Sequence, residues 1–411
     1  MRIFLFSLLF TLGIPCISWS AINFVRAMFN SNAAFEITIA WNQKSGENPR
    51  LFYDTQNSGK DFVQQAGISK KVHAKNMHNH FVRLTNLTPA TTYYFYVQDS
   101  EGKSRIYHFR TVSNQSDQAI SFVAGGDSRD QREVRQKGNR MVAKLRPDAV
   151  LFNGDFTGLD LPRQWVNWFE DWELSITDDG KVSPLIVTRG NHEVSNQVMV
   201  DLFDVPHPKV YYSTTLGGDL VHIVSLNSEI LKVMGQKRFL KTALRDHQHF
   251  YWQIPQYHRP IRAHVAKKKE METEYQHFVP LFESYSNVRL CLENDSHTCK
   301  TTWPILSSKS ADSDEGFVRN DQKGIVYVGE GCWGAPLRAA DDKKSWTRDA
   351  EAVNQINWIF VTREKIEVRT VLYDYVDELE AVKEDHRFEM PTGIRLWGPN
   401  NGTLIEIFPI K

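Results

Sequence analysis

Apolar and polar residues alternate near the start of the chain. In FEITIAW, Phe35, Ile37, Ile39 and Trp41 are separated by polar or small neighbours, which predicts a strand with these four on one buried face. A turn-rich stretch, NQKSGENPR, follows, and LTPATTYYFYV at 87–97 joins a proline turn to an aromatic strand. Short strands and turns therefore account for the chain up to about Thr111. The polar stretch TVSNQSDQ, 111–118, reads as a linker. Beyond it the pattern changes. AISFVAGGD, DAVLFNGD and SPLIVTRGN are apolar runs that each stop in a polar turn. Between the first two, Val134, Met141, Val142 and Leu145 fall on one helical face, and between the last two Trp165, Trp168 and Trp172 do the same. The tryptophans read as core. VHIVSLNS, FYWQIPQYH, VRLCLEND and GIVYVGEG continue as strands, with His222 packed inside the first, and the KKKEMETE run from Lys267 reads as a solvated helix face. Strands alternating with helices predict an α/β domain after an all-β one.

The length of 411 residues points to two domains, and 24 Phe, 14 Tyr and 11 Trp supply their cores. With 49 basic and 49 acidic side chains the chain lacks the charge excess of an electrostatic nucleic-acid binder. At the N-terminus, Arg2 precedes an apolar run from Ile3 to Ile14, and Ser18 and Ser20 stand at cleavage positions before Ala21. Residues 1–20 read as an export signal, so the expected location is secreted or periplasmic. That run is too short to span a bilayer, and no later stretch reaches the roughly 18 apolar residues a membrane helix needs; no stable membrane insertion is expected. Cleavage before Ala21 removes Cys16 and leaves Cys291, Cys299 and Cys332. In an oxidising compartment Cys291 and Cys299 are the obvious local pair, although spacing alone leaves connectivity open. A zinc finger on Cys291, His297 and Cys299 lacks a fourth ligand.

Chemistry concentrates where strands end. Asp127 closes one in GGDSR, Asp155 another in NGDFTG, and Asn191 with His192 a third in RGNHE. Each alone is an ordinary turn or helix-cap residue. In open α/β sheets, however, ligands collect beyond the carboxyl ends of strands, where distant residues converge.

In this order the motifs resemble the calcineurin-like metallophosphoesterase superfamily, specifically the purple acid phosphatases, and the resemblance spans nearly the whole chain after the export signal. LTPATTY is similar to the signature of fibronectin type III modules, and Tyr93 stands where a tyrosine corner of an immunoglobulin-like sandwich lies. The implied fold is a fibronectin III-like all-β sandwich over 21–113 followed by an α/β four-layer (αββα) metallophosphoesterase domain over 118–411. IPQYHRP resembles a further family segment, with His258 as its ligand. CLENDSHTCKTTWPI takes the place of the family's G-H-x-H loop, with Asn294 at the glycine, Asp295 at the first histidine and His297 at the second. The resemblance implies two metal ions, Fe, Mn or Zn: Asp127, Asp155 and His297 on the first, and Asp155, Asn191, His258 and Asp295 on the second, with Asp155 bridging. By the same resemblance His192 contacts the phosphate or protonates the leaving group and Glu193 orients it. Arg129 steers phosphate or pairs with a surface acid, and His264 is a further acid or an exposed histidine.

Two positions depart from the family. Gly158 stands where the second motif carries a tyrosine, which removes the source of the purple colour. Asp295 substitutes a hard, charged oxygen ligand for imidazole, favouring Mn, Mg or Fe over Zn. The expected function is metal-dependent hydrolysis of phosphate monoesters of small molecules, the two ions activating water. The alternatives are a phosphodiesterase of the same superfamily and a surface binding protein whose site has decayed through Asp295. The oligomeric state is left open.

Overall fold

The computed structural model describes residues 21–58, 61–230 and 234–410. The expected export signal and Cys16 lie outside the described residues. The alternating N-terminal segment forms two packed sheets. One contains Ile22–Met28, Ile37–Gln43, Met77–Leu84 and Lys70–Ala74; the other contains Gln64–Ala66, Arg50–Asp54, Thr92–Asp99 and Gly102–Lys103, with Tyr107–Arg110 paired to Thr92–Asp99. Tyr93 is buried, and its hydroxyl accepts the Thr88 N–H at 2.8 Å, which ties the corner before its strand. The expected one-sided burial of FEITIAW is too simple. Phe35 precedes the strand and is half-buried, while Ile37–Gln43 is buried throughout. Its second face is covered: Arg26, opposite Ala40 on the neighbouring strand, donates to Leu202 O at 2.9 Å near the end of the helix Asn196–Phe203.

The three apolar runs after the linker become the parallel strands Ile120–Gly125, Ala149–Phe152 and Leu185–Val187. Antiparallel strands Gln355–Val361, Ile366–Leu372 and Leu404–Ile407 extend them on one side. On the other side, Leu185–Val187 meets Ile22–Met28 in parallel, with Met28 opposite Leu185. One ten-stranded sheet thus runs from the α/β part into the sandwich, so the two parts are hydrogen-bonded to each other as well as linked in sequence.

A second, seven-stranded sheet holds Tyr212–Leu216, Val221–Ser225, Trp252–Gln256, Leu290–Glu293, Val326–Gly329, Cys299–Thr302 and Thr347–Glu351 in that order. Its period of two assigns the layers. Leu290, Leu292, Val326 and Val328 share a core with the first sheet, whereas Cys291 and Tyr327 face the other way, into a cluster with Leu240 and Leu244 of the helix Met234–Asp246 and Phe282 of Val279–Glu283. The helices Arg132–Leu145 and Pro162–Trp172 cover the first sheet, the latter burying Trp165, Trp168 and Trp172. The layers are helix, sheet, sheet, helix, as expected.

Two local readings are corrected. Among the described residues Cys291, Cys299 and Cys332 are all free, and all are buried. The strand Val326–Gly329 lies between the strands of Cys291 and Cys299, two strand spacings or about 9.6 Å, beyond the roughly 7 Å that a disulfide bridges. The lysine run is not a helix face either, because the helix begins only at Glu272 and residues 265–268 form a turn closed by Lys268 N–H to Val265 O at 2.9 Å.

Beneath the ends of the second sheet lies a buried charge cluster. Lys300 is paired with Glu293 and sits 3.2 Å from Glu330 Oε1, and His264 Nδ1 donates to the same oxygen at 3.1 Å. All four are buried. Burial alone raises the Glu330 carboxyl, but Lys300 and His264 outweigh it and hold the group down to about 2, from an ordinary 4.5. The folded value lies below the unfolded one, so the stabilisation is complete above about pH 4.5 and is lost as the pH falls through about 2. It amounts to on the order of 3 kcal/mol at neutral pH. Glu330→Gln is expected to be less stable by about that much in urea unfolding at pH 7, and to lose less than the natural protein between pH 5 and 2. Equal losses in that window would contradict the assignment.

Candidate metal centre

Every strand end that carries a motif opens on the same rim. Asp127 and Asp155 follow Ile120–Gly125 and Ala149–Phe152, and Asn191 follows Leu185–Val187. From the second sheet His258 follows Trp252–Gln256, while Asp295 and His297 follow Leu290–Glu293. Asp127, Asp155 and His258 offer ligand atoms that all lie within 4.8 Å of one another. His258 Nε2 is 3.2 Å from Asp155 Oδ1, 3.2 Å from Asn191 Oδ1 and 3.6 Å from Asp295 Oδ1. His297 Nε2 is 3.4 Å from Asp127 Oδ1, and His192 Nε2 is 3.7 Å from Asp155 Oδ2. The structure brings all six expected ligands, and His192, together.

Main-chain carbonyls aim the imidazoles. Nδ1 of His258 donates to Asn153 O at 2.8 Å, that of His297 to Pro336 O at 3.1 Å and that of His192 to Gly158 O at 2.5 Å. A carbonyl only accepts, so each neutral ring keeps its proton on Nδ1 and turns the Nε2 lone pair inward.

The turns that carry the ligands are unusual. Asp127, Asp155, Asp295 and His297 have φ of 57°, 54°, 73° and 60°, a left-handed region that costs a non-glycine residue roughly 1 kcal/mol or more. Neighbouring contacts hold them there. Glu193, fully buried, accepts the N–H groups of Asp155 at 3.0 Å, Phe156 at 2.9 Å and Gly190 at 2.8 Å, so it pins two ligand turns to each other rather than orienting the His192 ring. Gly190 must lack a side chain, since a Cβ there would lie 2.2 Å from Asp155 Oδ1. Asp127 Oδ2 accepts the Asp295 N–H at 2.9 Å and thereby joins the first sheet's rim to the second's.

Two buried carboxylate oxygens, Asp127 Oδ1 and Asp155 Oδ2, have no hydrogen-bond partner among the described residues. Leaving such groups bare costs several kcal/mol, yet each faces an imidazole Nε2, that of His297 at 3.4 Å from Asp127 Oδ1 and that of His192 at 3.7 Å from Asp155 Oδ2. This donor set, oxygen and imidazole nitrogen without thiolate, fits hard or borderline cations such as Mn, Fe or Zn. The titrations agree. Burial lowers the affinity of His258 for a proton, but Asp155 and Asp295 reverse this and raise it well above the ordinary range. Burial raises the Asp155 carboxyl, and His258 brings it below its usual value. A proton on His258 therefore stands where a cation is wanted, and a metal ion must displace it. Glu193 is pushed up to about 8 by burial and then by Asp155.

The other two expected catalytic residues lie differently. His264 is fully buried, with Nδ1 on Glu330 and Nε2 at 2.8 Å from Thr347 Oγ1, so it faces the charge cluster rather than a substrate. Arg129, at φ 38°, makes no ion pair among the described residues, and its Nε is buried without a partner. At Gly158 a Cβ would lie 1.8 Å from Asp130 Oδ2, so no larger side chain fits there while Asp130 keeps its position. Sequence reasoning missed three contacts. Lys268 Nζ lies 2.7 Å from Asp295 Oδ1. Arg338 donates to Asp295 O at 3.2 Å, and Arg259 forks onto Glu229 at 2.6 and 3.0 Å beside His258. Only the cation directly after His258 carried a signal, and that signal was adjacency.

Comparison with known proteins agrees with this geometry. Residues 22–111 match the family model described as Purple acid Phosphatase, N-terminal domain, and residues 108–295 match Calcineurin-like phosphoesterase. Acid phosphatase type 7 of Homo sapiens is 24% identical over 294 residues, covering 64% of this chain and 66% of that protein. An uncharacterized protein of Mycobacterium tuberculosis is 24% identical over 339 residues, 70% of this chain and 64% of that one. The chain thus spans slightly less than two thirds of the length of these relatives. A purple acid phosphatase structure from yellow lupin seeds superposes with a TM-score of 0.71 at 16% identity, over 90% of this chain and 76% of the lupin chain, which shows a shared fold. By both family models and the rim they bring together, the chain belongs to the calcineurin-like phosphoesterases as a purple acid phosphatase-like member.

Proposed function

We propose that the protein is a metal-dependent phosphatase that hydrolyses phosphate monoesters of small molecules. The observation that carries this reading is the pair of buried oxygens on Asp127 and Asp155 with no hydrogen-bond partner among the described residues, ringed by imidazoles whose Nε2 atoms face inward. Asp127, Asp155 and His297 would hold one ion, and Asp155, Asn191, His258 and Asp295 a second. Bound there, the ions supply the charge that draws in phosphoryl oxygens and acidifies water. The family relationship supports the reaction class, and the apolar run at 3–14 supports export to a periplasm or the exterior.

The chain's own part is positioning and proton transfer. Asp155 has two oxygens and is anchored by its own N–H on Glu193 and by the His192 N–H on Oδ1 at 2.9 Å, so its carboxylate is preorganised between both ligand groups. His192 lies on the open side, with a quarter of its side chain exposed. Its Nδ1 is committed to Gly158 O, which leaves Nε2 as the atom that carries a proton to a departing alkoxide.

Three outcomes are expected. The metal-stripped protein should take up two Mn²⁺ per chain and release phosphate from 4-nitrophenyl phosphate faster than it cleaves bis(4-nitrophenyl) phosphate. Asp155→Ala should bind less than one ion and lose at least about a thousandfold in kcat/KM, because both ions lose a ligand. A faster diester reaction assigns a phosphodiesterase instead, and no turnover with metal bound assigns a binding protein. Secondly, His192→Ala should lower kcat by about 10²–10⁴ on alkyl phosphates, whose leaving groups need a proton, and much less on aryl phosphates; equal losses on both would remove the acid role. Thirdly, with Gly158 in the tyrosine position and its Cβ space filled by Asp130, the iron-loaded protein should show no intense visible band. Absorption spectra before and after iron loading decide this.

A further inference from the structure

Within the lysine run, Lys267 and Lys269 are exposed, but Lys268 turns inward and keeps only 21% of its side chain in solvent. The turn that carries it is anchored, not free. The His264 N–H donates to Glu330 Oε2 at 3.1 Å while its ring is held by Glu330 and Thr347. Lys268 N–H closes onto Val265 O, and Ala266 N–H donates to Asp341 at 2.8 Å. The histidine expected to act as an acid thus fixes the loop that delivers an ammonium to Asp295. Apart from His258, itself an expected ligand 3.6 Å from Asp295 Oδ1, the neighbouring arginines have other partners among the described residues: Arg259 is forked on Glu229, and Arg338 donates to the main-chain carbonyls of Asp295 and Ser296.

A charge count gives this contact its meaning. Relative to the family pattern, Asp295 puts a negative charge where a neutral imidazole stands. An added charge within a few ångströms of a divalent ion, in a poorly solvated site, changes binding by orders of magnitude. The ammonium at 2.7 Å from Asp295 Oδ1 cancels it. We propose that Lys268 is a fixed counter-charge built into the second metal position, which makes Asp295 the electrostatic equivalent of the histidine it replaces and sets how tightly that position holds a divalent cation. The inference rests on the two-ion reading of the rim. It makes Lys268 a positioning residue, acting on the ion through Asp295.

The test is calorimetric titration of the metal-stripped full chain with Mn²⁺, with circular dichroism confirming that each variant is folded. The natural protein is expected to bind two ions with distinct constants. Lys268→Met should tighten one of the two by at least about tenfold, and Asp295→His, which leaves the ammonium uncompensated, should weaken that same one by at least about tenfold. Lys268→Met combined with Asp295→His should return within about threefold of the natural value, and Lys268→Arg should match it. If Lys268→Met leaves both constants unchanged, Lys268 is a surface ion pair and the proposal falls. If the natural protein binds one ion and Lys268→Met binds two, the ammonium occupies the position instead of balancing it, which also overturns the proposal. Failure of the natural protein and every variant to bind any ion would instead defeat the underlying metal reading.

Discussion

Everything at the rim depends on how the Asp155 carboxylate is held. It sits at the end of a central strand of the first sheet, in a left-handed conformation, 3.2 Å from an imidazole supplied by the second sheet. Nothing in an isolated Gly-Asp turn would keep an aspartate there. Its N–H is fixed by Glu193, its Oδ1 by the His192 N–H, and the space beside that oxygen is reserved by Gly190. The NHE segment therefore has two tasks. Asn191 offers its amide oxygen to the cluster, while His192 and Glu193 grip the neighbouring turn. The rim is a reservoir of backbone strain and unpaired polar atoms held in place by the two packed sheets beneath it, the arrangement expected where function outweighs local stability.

Charge explains the rest of the neighbourhood. Three buried carboxylates converge at the rim, and without a cation they would repel one another. His258, raised well above the usual imidazole range chiefly by Asp155 against the opposing effect of burial, supplies positive charge to two of them, and Lys268 supplies it to Asp295. Burial raises the Asp295 carboxyl, yet His258 and Lys268 together bring it far below its usual value. The deeper cluster of Glu293, Lys300, Glu330 and His264 repeats the scheme as a permanent ion-pair network. The two clusters share a wall, because His297 N–H donates to Glu330 O at 2.7 Å. One holds its cation in the chain, and the other leaves oxygens for an ion from outside.

The legible part of this design was local. Apolar runs ending in Gly-Asp or Gly-Asn turns announce strand ends, and strand ends of an α/β sheet converge, so the six residues that meet at the rim could be named from the chain together with the family resemblance. The tryptophan stripe read correctly as core because a helical period of bulky apolar residues has little else to do. The failures were non-local. Cys291 and Cys299 are near in sequence, but a strand some thirty residues later inserts between theirs. His264 and Lys268 lie in a polar stretch whose composition resembles a solvated surface, and only Glu330, 66 residues away from His264, turns one of them inward. Both faces of Ile37–Gln43 are buried, and Arg26 on the strand beside it is held by Leu202, more than a hundred and fifty residues downstream. Pattern reports which residues an element can bury, not what the rest of the chain brings to cover it.

The sandwich has a part in the chemistry that its distance from the rim conceals. Leu185–Val187 has only three residues, and it ends four positions before Asn191. Ala149–Phe152 pairs with one of its sides. The other is met by Ile22–Met28, where Phe29 N–H donates to Leu185 O at 3.0 Å. Tyr212, from the second sheet, closes the strand by accepting the Val187 N–H and donating to Val187 O, both at 2.9 Å. Without the N-terminal strand this would be a short edge, and short edges fray. Fraying there would release the turn that bears Asn191 and His192 and, through Glu193, the one that bears Asp155. The β-rich half of the chain therefore stabilises the site by completing a sheet, with no need to touch a substrate.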